Sequence, residues 1–379
     1  MTVWPSVFAC VTGLTALLEK LYTNNDLNCG TEQLTQMLND YIEGIMEQPS
    51  LFHAPLHSAV SPAGDALLVL WKVERSQLSD IITIAAKCSL EMQEQFEFSY
   101  KEVGLQLQLK IGMSAGHVSQ LIVGDEIRQH LLVTGQQVDD VRLAQAREVI
   151  LSPNCWELCD RDVLETEMLK GQKAMKVGAV ALASSHELEL ALRRFALGNV
   201  LKKIDDNQPL AFVSELRLIT VVSVKLQFHE STKATELCKL VQEATVSISS
   251  IMEGWRGKIL QISTFGKSCT FLCAFGLPGD KREEENIHAL DSAISISNFS
   301  FCRVAGMHSR QEYTGRIGLQ VKMASRMLTH YPGMISCYEE TYSKSGFPSC
   351  FFKKLPEKEM SDAVSSGVTY EYLGRKRNP

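Results

Sequence analysis

The sequence predicts an α+β fold that is built twice, as two similar lobes joined by a helical connector. Residues 63–71 are echoed by residues 267–275, and residues 135–138 are echoed by residues 318–321. The copies of the first segment are offset by 204 positions (65 to 269), and those of the second by 183 positions (135 to 318). About twenty residues are therefore missing from the second copy. A repeat of this size predicts two domains related by a pseudo-twofold axis and not a solenoid of short units.

Composition sets the broad class of the protein. The chain has 379 residues, 45% hydrophobic and 22% charged, which is enough for two hydrophobic cores. A net charge of −6 argues against bulk electrostatic binding of nucleic acid or anionic lipid. Eleven cysteines without a CxxC pair favour a reducing, cytoplasmic compartment. The uncharged residues 1–18 contain Pro5 and Gly13 and lack a basic segment, so we predict neither a signal peptide nor a membrane span.

Hydrophobic periodicity gives the order of elements in the first lobe, residues 1–163. Short runs of strand-forming residues predict strands, and apolar residues spaced three or four apart predict amphipathic helices. Alternation over Leu105 to Ile111 predicts a half-exposed strand, with residues 112–123 as its hairpin partner and Gly116 at the turn. The other predicted elements are strands 6–11, 66–71 and 149–151 and helices 14–21, 32–46, 79–96 and 138–145.

The connector and the second lobe follow the same reasoning. Residues 164–212 are predicted to form a charged helical connector, with one helix over 187–204. The second lobe, residues 213–379, is predicted to contain strands 216–228, 258–265 and 269–276 and helices 232–253 and 283–298. The hairpin of the first lobe is shortened here to about residues 302–308, so we expect a ferredoxin-like second lobe without that hairpin. We expect its sheet to lack one or two strands and to expose a strand edge.

Several long strings of residues resemble the class III nucleotidyl cyclases and their tandem catalytic lobes. The strings that carry this resemblance are Ala63 to Arg75, Lys110-Ile111-Gly112 with Ala115-Gly116-His117, Gly135 to Gln145, Ile150 to Trp156, and Glu312-Tyr313-Thr314. The likeness covers nearly the whole chain, with shortened stretches near 146–149, 178–186 and 302–310. It implies conversion of ATP to cyclic AMP and pyrophosphate at a site between two lobes.

The resemblance also implies two divalent metals, Mg²⁺ or Mn²⁺, held by two aspartates. Asp65 matches one aspartate, whereas Cys10 stands where the other belongs. Two hard cations need carboxylate oxygens, and a thiol is a poor ligand for magnesium. Two-metal catalysis is therefore expected to be weak or lost. The neighbouring pair Asp139-Asp140 is interpreted as a helix start that favours the helix dipole, and not as a metal site.

The remaining site residues are also taken from the resemblance. Arg326 matches the arginine that stabilises the phosphates, and Lys110 and Thr314 match residues that contact adenine. Lys322 stands in place of the asparagine that orients the ribose, and Gly266 in place of an aspartate that reads the base.

The sequence leaves the regulation of the protein and its partners open to more than one hypothesis. For bicarbonate or another anion, the candidate residues are Arg142 and Val133, and Ser61 stands in place of a lysine. The first hypothesis is an adenylyl cyclase relative with weak or no activity. The alternative is a non-catalytic regulatory or binding module that pairs with another cyclase chain. A duplicate that barely folds is a third possibility.

Overall fold

The protein is described by a computed structural model over residues 4–12, 59–63, 66–70, 75–98, 108–143, 149–160, 186–208, 216–280, 284–298, 302–313, 324, 327–356 and 368–375. The predicted helices 14–21 and 32–46 lie outside these residues. The chain divides into two compact units. Unit 1 comprises Met1–Gln120 and Val133–His186, and unit 2 comprises Leu121–Leu132 and Glu187–Pro379. The lobe boundaries 1–163, 164–212 and 213–379 stay predictions.

Unit 1 is built around a five-stranded sheet in the order β2-β3-β1-β4-β7. All neighbours are antiparallel except β4 and β7, which run parallel. β2 contains Pro62 and was not predicted from the sequence. It lies at the edge of the sheet, where a proline leaves no ladder hydrogen bond unmade. The strands are β1 (Trp4–Thr12), β2 (Ala59–Ala63), β3 (Ala66–Leu70), β4 (Gln108–Gly116) and β7 (Val149–Leu151).

Three helices accompany this sheet: α1 (Leu78–Phe98), α2 (Gln136–Leu143) and α3 (Pro153–Leu158). α1 and α2 pack against β1 and β4, and α3 packs against β4 and β7. The start of α3 has proline at its first helical position, where a missing N–H costs nothing. The predicted strands 6–11, 66–71 and 149–151 and helix 79–96 are confirmed, as is the start of the helix predicted from residue 138.

The predicted hairpin of residues 105–111 with 112–123 is wrong. β4 runs without a turn to Gly116 and is paired with β1 along its whole length, from Thr12↔Gln108 to Trp4↔Gly116. The ladder continues through Gly112, so the glycine did not break the strand. The hairpin lies further along the chain, between β5 (Ser119–Gly124) and β6 (Gln129–Thr134), and forms a separate two-stranded sheet.

The connector helix predicted over 187–204 is two helices, α4 (His186–Arg193) and α5 (Gly198–Asp205), both in unit 2. Between them the backbone makes a turn, with Phe195 N donating to Leu192 O at 2.9 Å. Glycine is among the poorest residues inside a helix, and here Gly198 begins a new one. A bidentate ion pair between Arg193 and Asp205, with N–O distances of 2.8 and 2.6 Å, joins the two helices.

Unit 2 contains a seven-stranded sheet in the order β13-β14-β12-β11-β8-β10-β9. The helices α6 and α7 contribute buried residues to one core with its central strands, among them Ile248, Met252 and Leu290. The predicted strands 216–228, 258–265 and 269–276 and helices 232–253 and 283–298 are confirmed. The elements are β8 (Leu216–Gln227), α6 (Ala234–Gly254), β9 (Lys258–Phe265), β10 (Ser268–Phe275), α7 (Glu285–Ser297), β11 (Cys302–Tyr313), β12 (Ile335–Tyr338), α8 (Glu339–Ser345), β13 (Phe352–Lys354) and β14 (Thr369–Tyr372).

The two sheets repeat one another strand for strand. Read from β9, the second sheet runs β9-β10-β8-β11-β12, and the first runs β2-β3-β1-β4-β7. The directions also agree, because β11 and β12 are the parallel pair as β4 and β7 are. The α+β fold in two similar lobes is therefore borne out.

The described residues show no loss of strands from the second sheet. Its described part has seven strands against five, since β14 and β13 extend it beyond β12. Among the described residues no strand lies between β11 and β12, where the first lobe has its hairpin. That hairpin is not part of the five-stranded sheet, so a copy without it does not lose a sheet strand.

Candidate functional site

Three neighbouring strands of the first sheet bring two of the predicted site positions into one row. Cys10 on β1 has Ala66 on β3 and Lys110 on β4 as its partners. Opposed residues in an antiparallel pair have Cα atoms about 4.5–5.5 Å apart. Asp65, which precedes Ala66 in the sequence, lies outside the described residues. The row thus brings together Cys10, at the position where the resemblance implies a carboxylate, and Lys110, the predicted adenine contact.

The second sheet has an equivalent row, which the sequence analysis missed. Lys225 on β8 has Thr270 on β10 and Val304 on β11 as its partners. Lys225 therefore occupies the place that Cys10 has in the first sheet, and Val304 the place of Lys110. These three positions offer no carboxylate, so this row is not a second metal site. Recognising it requires the register of three strands, which the sequence repeat alone does not give.

The motif strings of the first lobe meet at the end of β4. The side chain of Gln137 occupies the space that a Cβ atom on Gly116 would fill, which explains the glycine. The backbone N–H of Ser152 donates to Met113 O at 2.8 Å, and the Asn154 side chain donates to Ala115 O. Motifs separated in the sequence therefore form one structural cluster.

The start of α2 is fixed by the same cluster. Val138 N and Asp139 N both donate to Gly135 O, at 3.0 and 3.2 Å. Gly135 has φ +150, and a Cβ atom there would lie 2.7 Å from His117 O, so only glycine fits. Asp140 accepts a hydrogen bond from Gln136 at 2.9 Å. Asp139 and Asp140 lie in this helix start, as predicted.

The predicted anion residues have different environments. Arg142 lies in α2, which packs against β1 and β4. Val133 is 5% exposed and belongs to a small core cluster with Leu68, Leu70 and Val138. Ser61 lies on β2 opposite Leu68. The described contacts give Val133 a packing role, and an anion site at these residues stays a prediction.

Gly266 occupies the tight turn between β9 and β10. Its φ is +54, and no atom lies within 4 Å of the place that a Cβ atom would take. The turn is anchored by its neighbour, because the Lys267 ammonium donates to Thr232 O at 2.7 Å. A side chain at position 266 would have room but would need the left-handed backbone conformation, which glycine adopts without strain.

Four predicted site positions, Asp65, Thr314, Lys322 and Arg326, lie outside the described residues. Within the described part of the chain, no three His, Cys, Asp or Glu side chains are grouped to hold a metal ion. Cys269 and Cys273, which lie four residues apart on β10, are buried packing residues. Burial raises the pKa of the Cys269 and Cys273 thiols to about 12, which makes them poor nucleophiles and poor metal ligands at neutral pH. None of the helices in the described ranges is both long and apolar enough to cross a bilayer.

Comparison with known proteins gives a consistent family. Residues 6–149 match the adenylate and guanylate cyclase catalytic domain. The chain is 40% identical to adenylate cyclase type 10 of Oryctolagus cuniculus, over 97% of this chain and 26% of that protein. Against adenylate cyclase type 10 of Homo sapiens the identity is 39%, with the same coverage. The chain therefore spans about a quarter of the length of these relatives.

Similarity to a solved structure is much weaker. The adenylyl cyclase CyaB from P. aeruginosa covers 43% of this chain at 20% identity, with a TM-score of 0.34, which is too low to support an argument. Residues 6–149 therefore match the catalytic domain of adenylate and guanylate cyclases, and nearly the whole chain is similar to a quarter of adenylate cyclase type 10.

Proposed function

We propose that this chain is an adenylyl cyclase relative in which formation of cyclic AMP from ATP is weak or lost. The observation that carries this proposal is the row of Cys10 with Ala66 and Lys110 in the first sheet. It puts a thiol at the position where the family resemblance implies a metal-binding carboxylate. The same row keeps a lysine for the adenine.

The reaction would be an intramolecular displacement. The ribose 3′ oxygen forms a bond to the α-phosphorus, the bond from the α-phosphorus to the bridging oxygen breaks, and pyrophosphate leaves. The proton of the 3′ hydroxyl passes to solvent or a nearby base. In this chain Lys110 and Thr314 would position the adenine, and Arg326 would stabilise charge on the phosphates.

The residues present do not fit a pair of divalent cations. Magnesium and manganese prefer carboxylate, carbonyl and water oxygens, and this site offers Asp65 with a thiol at position 10. We therefore derive no step through bound metal. Loss of one preorganised charged group costs on the order of 100- to 1,000-fold in rate. The replacements at Lys322 and Gly266 add to this cost, although not additively.

Restoring the carboxylate tests the proposal. The Cys10→Asp variant should produce cyclic AMP from ATP and Mn²⁺ at least about tenfold faster than the unmodified chain, because one missing group is returned. The matched control is Cys10→Ser, which changes the thiol without supplying a carboxylate and should bring no gain. Adding Asp65→Ala to Cys10→Asp should remove the gain. Full turnover by the unmodified chain, unchanged by Cys10→Asp, would refute the loss of activity.

Bicarbonate sensitivity is proposed to be lost as well. The resemblance implies an anion site with a lysine and an arginine, and here Ser61 replaces the lysine while Arg142 is kept. Any cyclic AMP formed by Cys10→Asp should therefore be unchanged by bicarbonate at constant pH. A bicarbonate-dependent increase in that variant would show that Arg142 suffices.

The alternative is a non-catalytic module that pairs with another cyclase chain. This alternative depends on a second sheet that has lost strands and exposes a strand edge. The described part of that sheet has seven strands, which weakens the alternative. The two functions are separated by one pair of measurements. ATP-dependent thermal stabilisation with no product from Cys10→Asp, together with a stable hetero-oligomer with an intact cyclase lobe, would favour the module.

A further inference from the structure

Unit 2 contains a cavity of about 670 Å³ that the cyclase motifs do not use. It is lined by the tip of the β5–β6 hairpin, the first turn of α5, the end of α6, the start of β9 and the loop after β10. Small-molecule sites have volumes of roughly 300–1,000 Å³. The cavity is therefore large enough for a small organic molecule and not only for an ion.

Arg128, from the hairpin tip, is the unusual residue of this lining. Its Nε and Nη1 atoms are buried, and neither has a hydrogen-bond partner among the residues that the structure describes. Burial lowers the pKa of Arg128, with no acidic group offsetting the effect. Asp125, three residues before Arg128, instead accepts from the backbone N–H groups of Ile127 and Arg128, at 2.8 and 2.7 Å. Buried charged donors without a partner carry their full desolvation penalty, so such a group calls for a water, an ion or a ligand.

The first turn of α5 supplies a second positively charged feature of the cavity. Leu197, Gly198 and Asn199 all line the cavity. The N-cap residue, Leu197, provides no side-chain hydrogen bond to this helix start. Helix N-termini carry partial positive charge and backbone N–H donors, and both favour anions.

The other charged residues of the lining do not cancel this arrangement. Lys202, Lys203 and Lys258 add positive charge, whereas the carboxylates of Asp206 and Glu253 belong to exposed residues. A third carboxylate, Asp280, is half-buried. Exposed carboxylates are solvated and screened by salt, whereas the Nε and Nη1 atoms of Arg128 are buried.

We propose that this cavity binds a small molecule through its phosphate or carboxylate group, held by Arg128 and the first turn of α5. The guanidinium presents N–H donors in a fixed fork that matches two oxygens of such an anion. An anion placed there would connect the hairpin tip to α5. These two elements are already joined by the hydrogen bond from Gln129 N to Arg194 O, at 2.8 Å.

The test uses the full chain in chloride buffer, with inorganic phosphate, sulfate and acetate titrated separately by calorimetry at constant ionic strength. Phosphate or acetate should bind saturably and raise the unfolding temperature with concentration, as a ligand of the folded state does. The comparison of phosphate with acetate identifies which anion the site prefers. Arg128→Met should weaken binding at least about tenfold. The matched control is Arg194→Gln, an exposed arginine that does not line the cavity.

The variant should fold, because methionine replaces a buried unpaired charge with an apolar side chain of similar length. If it does not fold, hydrogen exchange on the unmodified chain decides, since a bound anion should protect amides in 124–129 and 197–203. Three results would overturn the proposal: no saturable heat for any of the anions, no protection in these segments, or unchanged affinity in a folded Arg128→Met protein.

Discussion

Within the described ranges, the sheets of units 1 and 2 have the same five strands in the same order, but they differ in what is added to them. In the first sheet the chain leaves β4 for the separate hairpin β5–β6 before it returns to α2. In the second, two more strands are added beyond β12. Both additions lie outside the five shared strands. What the two units have in common is therefore the order and pairing of those five strands.

The comparison also shows that the same register does not imply the same chemistry. The row of Cys10, Ala66 and Lys110 corresponds to the row of Lys225, Thr270 and Val304. A lysine on the middle strand of the second row cannot replace a metal-binding carboxylate. The two rows therefore share a backbone pairing and differ in their side chains, with Cys10 on the middle strand of the first row and Lys225 on that of the second.

The largest effect on the free energy of unfolding should come from giving each of two equivalent core positions the side chain of the other. Leu70 on β3 and Ala274 on β10 occupy equivalent places, and both are 0% exposed. Leu70→Ala should lower the free energy of unfolding by about 2–5 kcal/mol through lost burial and a cavity. Ala274→Leu should lower it by about 1–3 kcal/mol through overpacking. Urea unfolding followed by circular dichroism measures both.

A control for this pair is Leu190→Ala on α4, whose side chain is 51% exposed and should change stability by less than either core variant. If Ala274→Leu were as stable as the unmodified protein, the second core would have room at this position. The equivalence of the two sheets would then extend to side-chain volume and not only to register.

Most of the shared strands could be predicted from the sequence, because they are continuous runs of strand-forming residues. The extension β13–β14 could not, since it depends on contacts between distant residues. The ring of Tyr342 on α8 stacks on the ring of Tyr370, with 4.4 Å between ring centroids. It packs edge-on against Phe352, with 4.8 Å between ring centroids. No local pattern identifies these partners. The break between α4 and α5 was missed for a similar reason, because the pair of Arg193 with Asp205 forms only once the chain has turned.

The next effect on stability concerns the β5–β6 hairpin, which has no counterpart in the part of the second copy that the structure describes. Burial of His130 on β6, with a further contribution from the nearby Arg128 charge, lowers its pKa to about 4, although Asp125 acts in the opposite direction. The unfolded chain then binds more protons than the folded chain between pH 6.5 and about 4. Stability should therefore fall as the pH is lowered through this range, by up to about 3 kcal/mol.

The difference in unfolding free energy between the unmodified chain and His130→Gln isolates this contribution from the carboxyl groups that also titrate. The difference should change with pH between 6.5 and 4 and be constant above 7. Gln242→Met, which keeps His130, should retain the pH dependence of the unmodified chain. A pH-independent difference would show that His130 is protonated as easily in the folded protein as in the unfolded one.

The candidate site could be predicted less completely than the fold. The resemblance identified Cys10 and Lys110, and the strand register then placed them opposite one another. Val133, by contrast, is a core residue beside Leu68 and Val138, which its position in the sequence did not show. Lys225 was missed because its significance depends on the second sheet having the same register as the first.

The smallest effect should come from the hydrogen bonds that attach the hairpin to α6. The Gln242 amide accepts from Gly124 N at 2.9 Å and donates to Gly124 O at 2.7 Å. Gln242→Met keeps the length of the side chain and removes both bonds, so unfolding free energy should fall by about 1–3 kcal/mol. Gln261→Met on β9 provides a control glutamine in a strand. Faster hydrogen exchange at residues 121–124 in Gln242→Met alone would show that these bonds hold the hairpin, whereas unchanged exchange would mean that the buried side chains of Val123 and Leu132 are sufficient.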